Sequence, residues 1–440
     1  MREVKQIPFR AARGGLIITI MVIKKSVFKI LCLILALGMA WSSCKKDDDG
    51  DKPDNTPEAD TTQHHNNTPE DIVVEEKGVS LRSSELYEYM KAQTDELQTY
   101  DVKIVDATPN FDEIVKALCE NNKIHVSLDF GQCTGMKEFP DGAFTHRYST
   151  DLMNLVSVTI PNSVTKIGAS AFSKCVGLTS IVIPDGVIEI GARAFWKCTC
   201  LMTVKLPASL KTIGKEAFYN CITLNDINLP DNVTDIEENA FSGCSFLKSI
   251  TIPAGVSTIK TSTFENCQKL ATVLLPEGLT TIDYCAFKGC SNLRIDFPSS
   301  LTNIEQEAFA NCLCLNKLTI PSKTKLGVQS FEGCTGLQEV YVEEGVTLIS
   351  MYCFKDCINL KTVSLPNSII TISGGAFNRC RNMNLKLNCT MPPSVGSMAI
   401  PLDASVYVAD ELLDTYKENE TWYYYSKIIK PMSEFPETTK

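Results

Sequence analysis

Leu178-Thr179-Ser180-Ile181-Val182-Ile183-Pro184-Asp185-Gly186-Val187-Ile188-Glu189-Ile190-Gly191-Ala192-Arg193-Ala194-Phe195 is the stretch that decides how this chain folds. Its first part alternates apolar and polar residues around Ile181 and Ile183, the period of a short strand with one face turned inward. Pro184 has no N–H to donate and ends that strand, and Asp185-Gly186 turns the chain. Val187, Ile190, Ala194 and Phe195 then point back toward the strand. A unit this short cannot enclose its own apolar groups, so it needs neighbours of the same shape.

The neighbours are in the sequence. Phe172, Phe195, Phe218, Phe241, Phe264 and Phe287 recur every 23 residues, Phe309 and Phe331 follow at steps of 22, and Phe354 and Phe377 return to 23. Three residues after each stands a cysteine: Cys175, Cys198, Cys221, Cys244, Cys267, Cys290, Cys312, Cys334, Cys357 and Cys380. A fixed period of this length marks a leucine-rich-repeat solenoid. The expected fold is therefore a β-rich, right-handed solenoid of short parallel strands with irregular or short helical returns, α/β in the wider sense.

The unit Ile-Pro-x-x-Val-x-x-Ile-x-x-x-Ala-Phe-x-x-Cys-x-x-Leu resembles that of the BspA-like leucine-rich-repeat family of bacterial surface proteins, over residues 131–390. Departures are local: Glu343 stands at a Pro position, Cys353 at an Ala position, and the strand after Leu293 is one residue short. Each is expected to perturb one coil without breaking the stack. The resemblance implies an adhesin-like protein that contacts a host protein or glycan.

Both ends resemble the family's closing segments. Residues 78–130 read as an N-terminal α/β cap, with an amphipathic segment (Leu86, Tyr89, Met90, Leu97) and an apolar strand from Val102 to Val105. A helix follows, capped by Asn110 with Glu113 at the capping-box position and an apolar face of Phe111, Ile114, Val115 and Leu118. A second strand runs from Ile124 to Phe130. Residues 391–440, with Val406-Tyr407-Val408, Tyr416, Trp422 and Ile428-Ile429, read as the C-terminal cap. Caps are needed because an open end exposes core and unpaired strand edge.

Ahead of the cap, residues 1–43 read as a signal segment. Lys24, Lys25 and Lys29 precede an uninterrupted apolar run over residues 30–40, which is too short to span a bilayer and is followed by Ser42 and Ser43. Met21 can itself start such a signal, so residues 1–20 read as an over-extended start. Trp41-Ser42-Ser43-Cys44 resembles a bacterial lipobox, and Lys45-Lys46-Asp47-Asp48-Asp49 resembles the charged run of Bacteroidetes lipoproteins destined for the outer surface. That resemblance implies a lipid-modified Cys44 holding the protein to the outer membrane and exposed at the cell surface. Residues 44–77 are polar and Pro-containing, and read as a flexible acidic stalk. His64-His65 within it reads as solvated.

Composition narrows the function. The chain has 440 residues, 44% hydrophobic, with a formal net charge of -10. Removal of residues 1–43 takes seven basic residues and one acid, leaving 35 basic against 51 acidic and a net charge of -16. So acidic a protein is not a nucleic-acid binder. With 4 His, His125 and His146 fall in no catalytic pattern, no Gly-rich phosphate loop follows a strand, and Glu237-Glu238 and Glu343-Glu344 read as solvated acids. The periodic cysteines read as buried core: stacked strands hold equivalent Cβ atoms about 4.8 Å apart, beyond the roughly 3.5–4.5 Å of a disulfide. Cys119, Cys133, Cys200, Cys285, Cys314, Cys353 and Cys389 lie off this ladder. No enzyme activity, cofactor or metal site is expected.

Two surfaces are candidates for binding. The outward strand positions, such as Ser180/Val182, Thr203/Lys205, Asp226/Asn228 and Glu339/Tyr341, form a flat, hydroxyl-rich face, with Lys205, Asn228 and Tyr341 as candidate contacts. Trp196 and Tyr219, each directly after a motif Phe, form an aromatic pair that can stack on sugar or anchor a protein. The first surface fits an adhesin-like scaffold. The second fits the alternative, a carbohydrate-capturing accessory lipoprotein of a nutrient-uptake system; an enzyme is the third reading.

Overall fold

A computed structural model describes residues 78–145 and 151–436. The signal segment, Cys44, the stalk with His64-His65, and His146 lie outside the described residues.

Each coil carries two strands. The outer one, Ser180–Val182 in the unit above, alternates exposed, buried, exposed, as the period-2 pattern requires. It pairs in parallel with the next coil, Ser180 opposite Thr203, Ile181 opposite Val204 and Val182 opposite Lys205. The second strand, Glu189–Ile190, pairs with Lys166–Ile167 on one side and Thr212–Ile213 on the other. The sequence reading placed only inward-pointing residues here, not a second parallel ladder.

The returns are turns, and no helix occurs between residues 131 and 390 among the described residues; the helical option in the expectation is corrected. Strands stack at about 4.8 Å while a helix with its side chains is about 10 Å across, so a helical return would force the coils apart. Turns keep the tighter spacing and bond directly between coils. The Phe172 N–H donates to Ala194 O at 2.7 Å, and the Lys174 N–H donates to Trp196 O at 2.7 Å. Each turn uses two left-handed residues, such as Arg193 (φ 58°) and Lys197 (φ 57°). At the position before the cysteine, Asn and Gly alternate from Asn220 to Gly333, the residue types for which this conformation costs least.

Inside the coil the phenylalanines form one column. From Phe172 to Phe377 neighbouring rings lie 5.1 to 5.6 Å apart and within 11° of parallel. The column survives both 22-residue coils: Phe287–Phe309 and Phe309–Phe331 are each 5.3 Å apart.

The outer ladder does not survive them intact. The missing residue after Leu293 leaves Arg294 tied to Thr272 by an isolated bridge, and a new sheet starts at Lys317–Ile320. The stack is kept, as expected, but the strand ladder is interrupted. It is interrupted as well between Asp226–Ile227 and Ser249–Thr251. The second short coil loses its residue between Thr324 and Leu326, and the buried Thr324 donates its hydroxyl to Leu301 O at 2.8 Å.

At the N-terminal end, strands Val79–Leu81, Thr99–Ile104 and His125–Asp129 run parallel and join the first solenoid strand, Leu155–Thr159. Helices Leu86–Lys91 and Phe111–Glu120 accompany them. Asn110 caps the second, accepting from the Asp112 and Glu113 N–H groups at 3.1 and 3.4 Å. Phe111 packs on Phe130, Phe139 and Phe144, and Phe139 lies 4.7 Å from Phe172, so this cluster covers the end of the Phe column. Two expectations fail. Leu97 is 66% exposed in the turn where the Asp95 carboxylate accepts its N–H, beyond the end of the first helix. Val105 is exposed because the strand ends at Ile104.

At the other end Asn384–Leu387, Ser405–Val408 and Ile429–Pro431 extend the outer ladder. Tyr416 and Trp422 are fully buried there. The Tyr416 hydroxyl donates to Cys389 O at 3.1 Å and the Trp422 indole to Pro393 O at 2.7 Å.

Candidate functional site

The cysteine ladder has a directional role that the spacing alone did not reveal. Each thiol from Cys198 to Cys380 donates to the carbonyl of a motif Phe one coil back. Cys198 Sγ lies 3.0 Å from Phe172 O, Cys221 Sγ 3.1 Å from Phe195 O and Cys244 Sγ 3.2 Å from Phe218 O. Phe172 O already accepts from the Cys175 N–H at 3.1 Å, so the thiol fills its second lone pair. Burial pushes the ladder thiols from Cys198 to Cys357 up, Cys334 to about 12, which favours their protonated form. Their burial and their bonds to backbone carbonyls fit packing groups of the core. No group of three or more His, Cys, Asp or Glu is placed to hold a metal among the described residues.

The paired acids are surface groups tied to neighbouring coils. Glu237 binds Lys260 and Glu238 binds Lys215, each at 2.7 Å. Glu343 accepts from the Ser322 N–H at 3.0 Å, and Glu344 from Asn367 N–H at 2.9 Å and Ser368 N–H at 3.2 Å.

Trp196 and Tyr219 do stack, 6.3 Å apart and 12° from parallel. Both are half-buried. The Lys197 ammonium sits 4.2 Å from the Trp196 ring centre and that of Lys174 5.8 Å away. The indole is therefore already engaged by a ring and two cations.

Lys205, Asn228 and Tyr341 are exposed on the outer strand face, where the register aligns side chains from coil to coil within each unbroken stretch of the ladder. Val182 stands beside Lys205, Thr251 beside Leu274, and Thr319 beside Tyr341, then Ser364 and Lys386. At about 4.8 Å per coil, Lys205 and Tyr341 are roughly 30 Å apart: one surface, but not one pocket. Tyr341 is held by its surroundings. The Lys317 ammonium lies 4.7 Å over its ring, and its hydroxyl donates to Glu339 at 3.2 Å.

A concavity on this face lies where the ladder loses a residue. A cleft of about 470 Å³ opens between strand Thr272–Leu274 and Lys317, floored by Ile295 and Phe297 and edged by Arg294 and Asp296. A second cleft of about 230 Å³ shares Ile295, Asp296 and Phe297 and reaches Thr319 and Glu343. Phe297 turns partly inward, 5.3 Å from Phe309 of the core column. The candidate list from sequence missed this site. Its signals were the first 22-residue step and Glu343 at a Pro position, which sit in different coils but border the same concavity.

Two parallel ladders, an outward polar strand face and a buried Phe column define a leucine-rich-repeat β-solenoid. The family model for BspA-type leucine-rich repeat regions matches residues 137–271 and 264–384, in six copies; the chain belongs to that family. Among curated proteins none matches. A leucine-rich repeat protein from Bacteroides ovatus is 20% identical, with 80% of this chain and 87% of that one covered and a TM-score of 0.50. A leucine rich cell surface protein from Faecalibacterium prausnitzii is 26% identical over 61% of this chain and 82% of its own, TM-score 0.33. A Treponema pallidum leucine rich repeat protein is 29% identical over 46% and 86%, TM-score 0.36.

Proposed function

We propose that the protein is a binding scaffold tethered to a bacterial cell surface, adhesin-like, that takes a protein partner across its outer strand face. The observation that carries this reading is the outward strand face, whose side chains lie in register from coil to coil within each unbroken stretch of the ladder and offer one small contact per repeat. The family resemblance at Cys44 supports a lipid anchor in the outer membrane, with the acidic stalk as spacer. The -16 charge after processing favours a partner with a basic surface.

A protein partner is favoured over a captured glycan because Trp196, the best sugar platform by residue type, has its ring occupied by Tyr219, Lys197 and Lys174. The test is an array of host proteins and glycans probed with the purified chain. Changing Lys205, Asn228 and Tyr341 together to Ala is expected to weaken the interaction well beyond any single change, with the melting curve unaltered. Loss confined to Trp196→Ala and Tyr219→Ala would favour carbohydrate capture. Turnover abolished by a single acid or His substitution would defeat both binding readings.

A further inference from the structure

We propose that the cleft at Arg294–Phe297 seats an extended peptide segment of the partner, its main chain alongside strand Lys317–Ile320 and one large apolar side chain on Phe297. This deepens the protein-binding reading and rests on it.

Three features point to an extended peptide. The first is an open strand edge. Lys317–Ile320 pairs with Glu339–Val342, and no strand pairs with its other side among the described residues. Main-chain groups on an unpaired edge accept an added strand. Here the edge lies inside the stack, where flanking coils set its direction and limit the length it can take to a few residues.

The second is apolar room beside that edge. The two clefts, about 470 and 230 Å³, meet at Ile295, Asp296 and Phe297. The larger alone is in the size range of specific ligand sites. Its wall includes Leu274, 58% exposed, at a position that carries Lys205, Asn228 and Thr251 in the three preceding coils and an exposed Val182 in the coil before those. An apolar side chain placed there would cover Leu274 and the open part of Phe297 together.

The third is charge. Arg294 and Asp296 are exposed, two residues apart, and neither forms an ion pair among the described residues. Neighbouring coils pair theirs: Lys317 with Glu339 at 3.6 Å, and Lys288 with Glu307. Alternate residues of an extended chain stand about 6.6 Å apart, so a segment beside Arg294 and Asp296 meets both with one acidic and one basic residue two positions apart. That spacing belongs to a peptide backbone; a glycan has neither the strand edge nor the charge pair.

The missing residue leaves the edge open and makes the room beside it, so one insertion should close both. A threonine inserted between Arg294 and Ile295 restores the Leu-x-x-Ile spacing of the other coils and lets this segment pair as a strand. The probe is a library of nine-residue peptides displayed on phage and panned on the full chain, with selected peptides measured by fluorescence polarisation. Selected peptides are expected to carry an acid and a base two positions apart with a large apolar residue adjacent. Their affinity should fall at least tenfold for both the insertion variant and Phe297→Ala, and binding should slow amide exchange across residues 317–320. Arg294→Glu, which leaves the spacing alone, should select for peptides with the acid replaced by a base. The proposal is overturned if the library yields no binder, or if binders are indifferent to the insertion, to Phe297→Ala and to Arg294→Glu. Peptides lost only with the triple change at Lys205, Asn228 and Tyr341 would overturn the cleft and keep the scaffold reading. A glycan bound in the cleft and lost on insertion would overturn the peptide.

Discussion

Raising the pH should unfold this protein steeply from just above pH 9, and the cysteine ladder sets the slope. Nine ladder thiols, Cys175 to Cys357, are fully buried and held above the ordinary thiol value of 9.0, with burial the largest cause in each. A folded-state value above the unfolded one means the native state holds the proton longer. The resulting stability is fully present below the unfolded value and is lost as pH rises toward the folded one. For Cys334 that window runs from about 9 to about 12. Each thiol ionised only when unfolded contributes about 1.4 kcal/mol per pH unit, so nine together approach about 12 kcal/mol per unit. A domain has about 5–15 kcal/mol in all, so unfolding is expected near pH 10. The assay is urea unfolding followed by circular dichroism at pH 7 to 9.5 under reductant, alongside thiolate absorbance of the native protein. The double variant Cys221→Ala/Cys244→Ala should reduce the slope by about 2.8 kcal/mol per unit. A stability that is flat from pH 8 to 9.5, or thiolate absorbance that rises while the dichroism stays native, would refute the argument.

Phe218→Ala, in the middle of the ring column, should cost about 3–5 kcal/mol, while Ser249→Ala on the exposed strand face should change stability by less than about 0.5 kcal/mol; equal losses in urea titrations would mean the facing is wrong. Asn154 is buried, and its amide donates to Leu118 O at 3.0 Å, Asn121 O at 3.3 Å and Ile124 O at 3.2 Å, tying the end of helix Phe111–Glu120 to the first coil. Asn154→Ala should cost about 1–3 kcal/mol and speed amide exchange across residues 111–124 more than in the distant coils. Cys44→Ala should leave the protein unprocessed or free of the membrane fraction, and unchanged processing and retention would count against the lipid anchor. The buried ladder thiols should resist alkylation in the native protein and react after denaturation without reductant; a disulfide between Cys221 and Cys244 in mass spectrometry would contradict that.

The period of Phe and Cys determined the solenoid by itself, because a residue's inward or outward facing is a local property of turn and strand spacing, and ten repeats state it ten times. Facing was legible down to single side chains: Ile181 is buried and Ser180 and Val182 are exposed. Asn110 was legible as a helix cap for the same reason, since its partners lie two and three residues away. What depends on the neighbouring coil was not legible. The partner of the Cys221 thiol is a carbonyl 26 residues back, and although the 23-residue period put Tyr219 beside Trp196, no sequence pattern lays the two lysines, Lys174 and Lys197, over the indole. The short strand after Leu293 was visible as a missing residue, but a deletion can be absorbed by shifting the core or by opening the surface. Tertiary packing decided that. Stacked rings about 5.3 Å apart cannot shift without opening a void, whereas a broken strand edge can face water, so the coil kept Phe309 in its column and left the cleft outside.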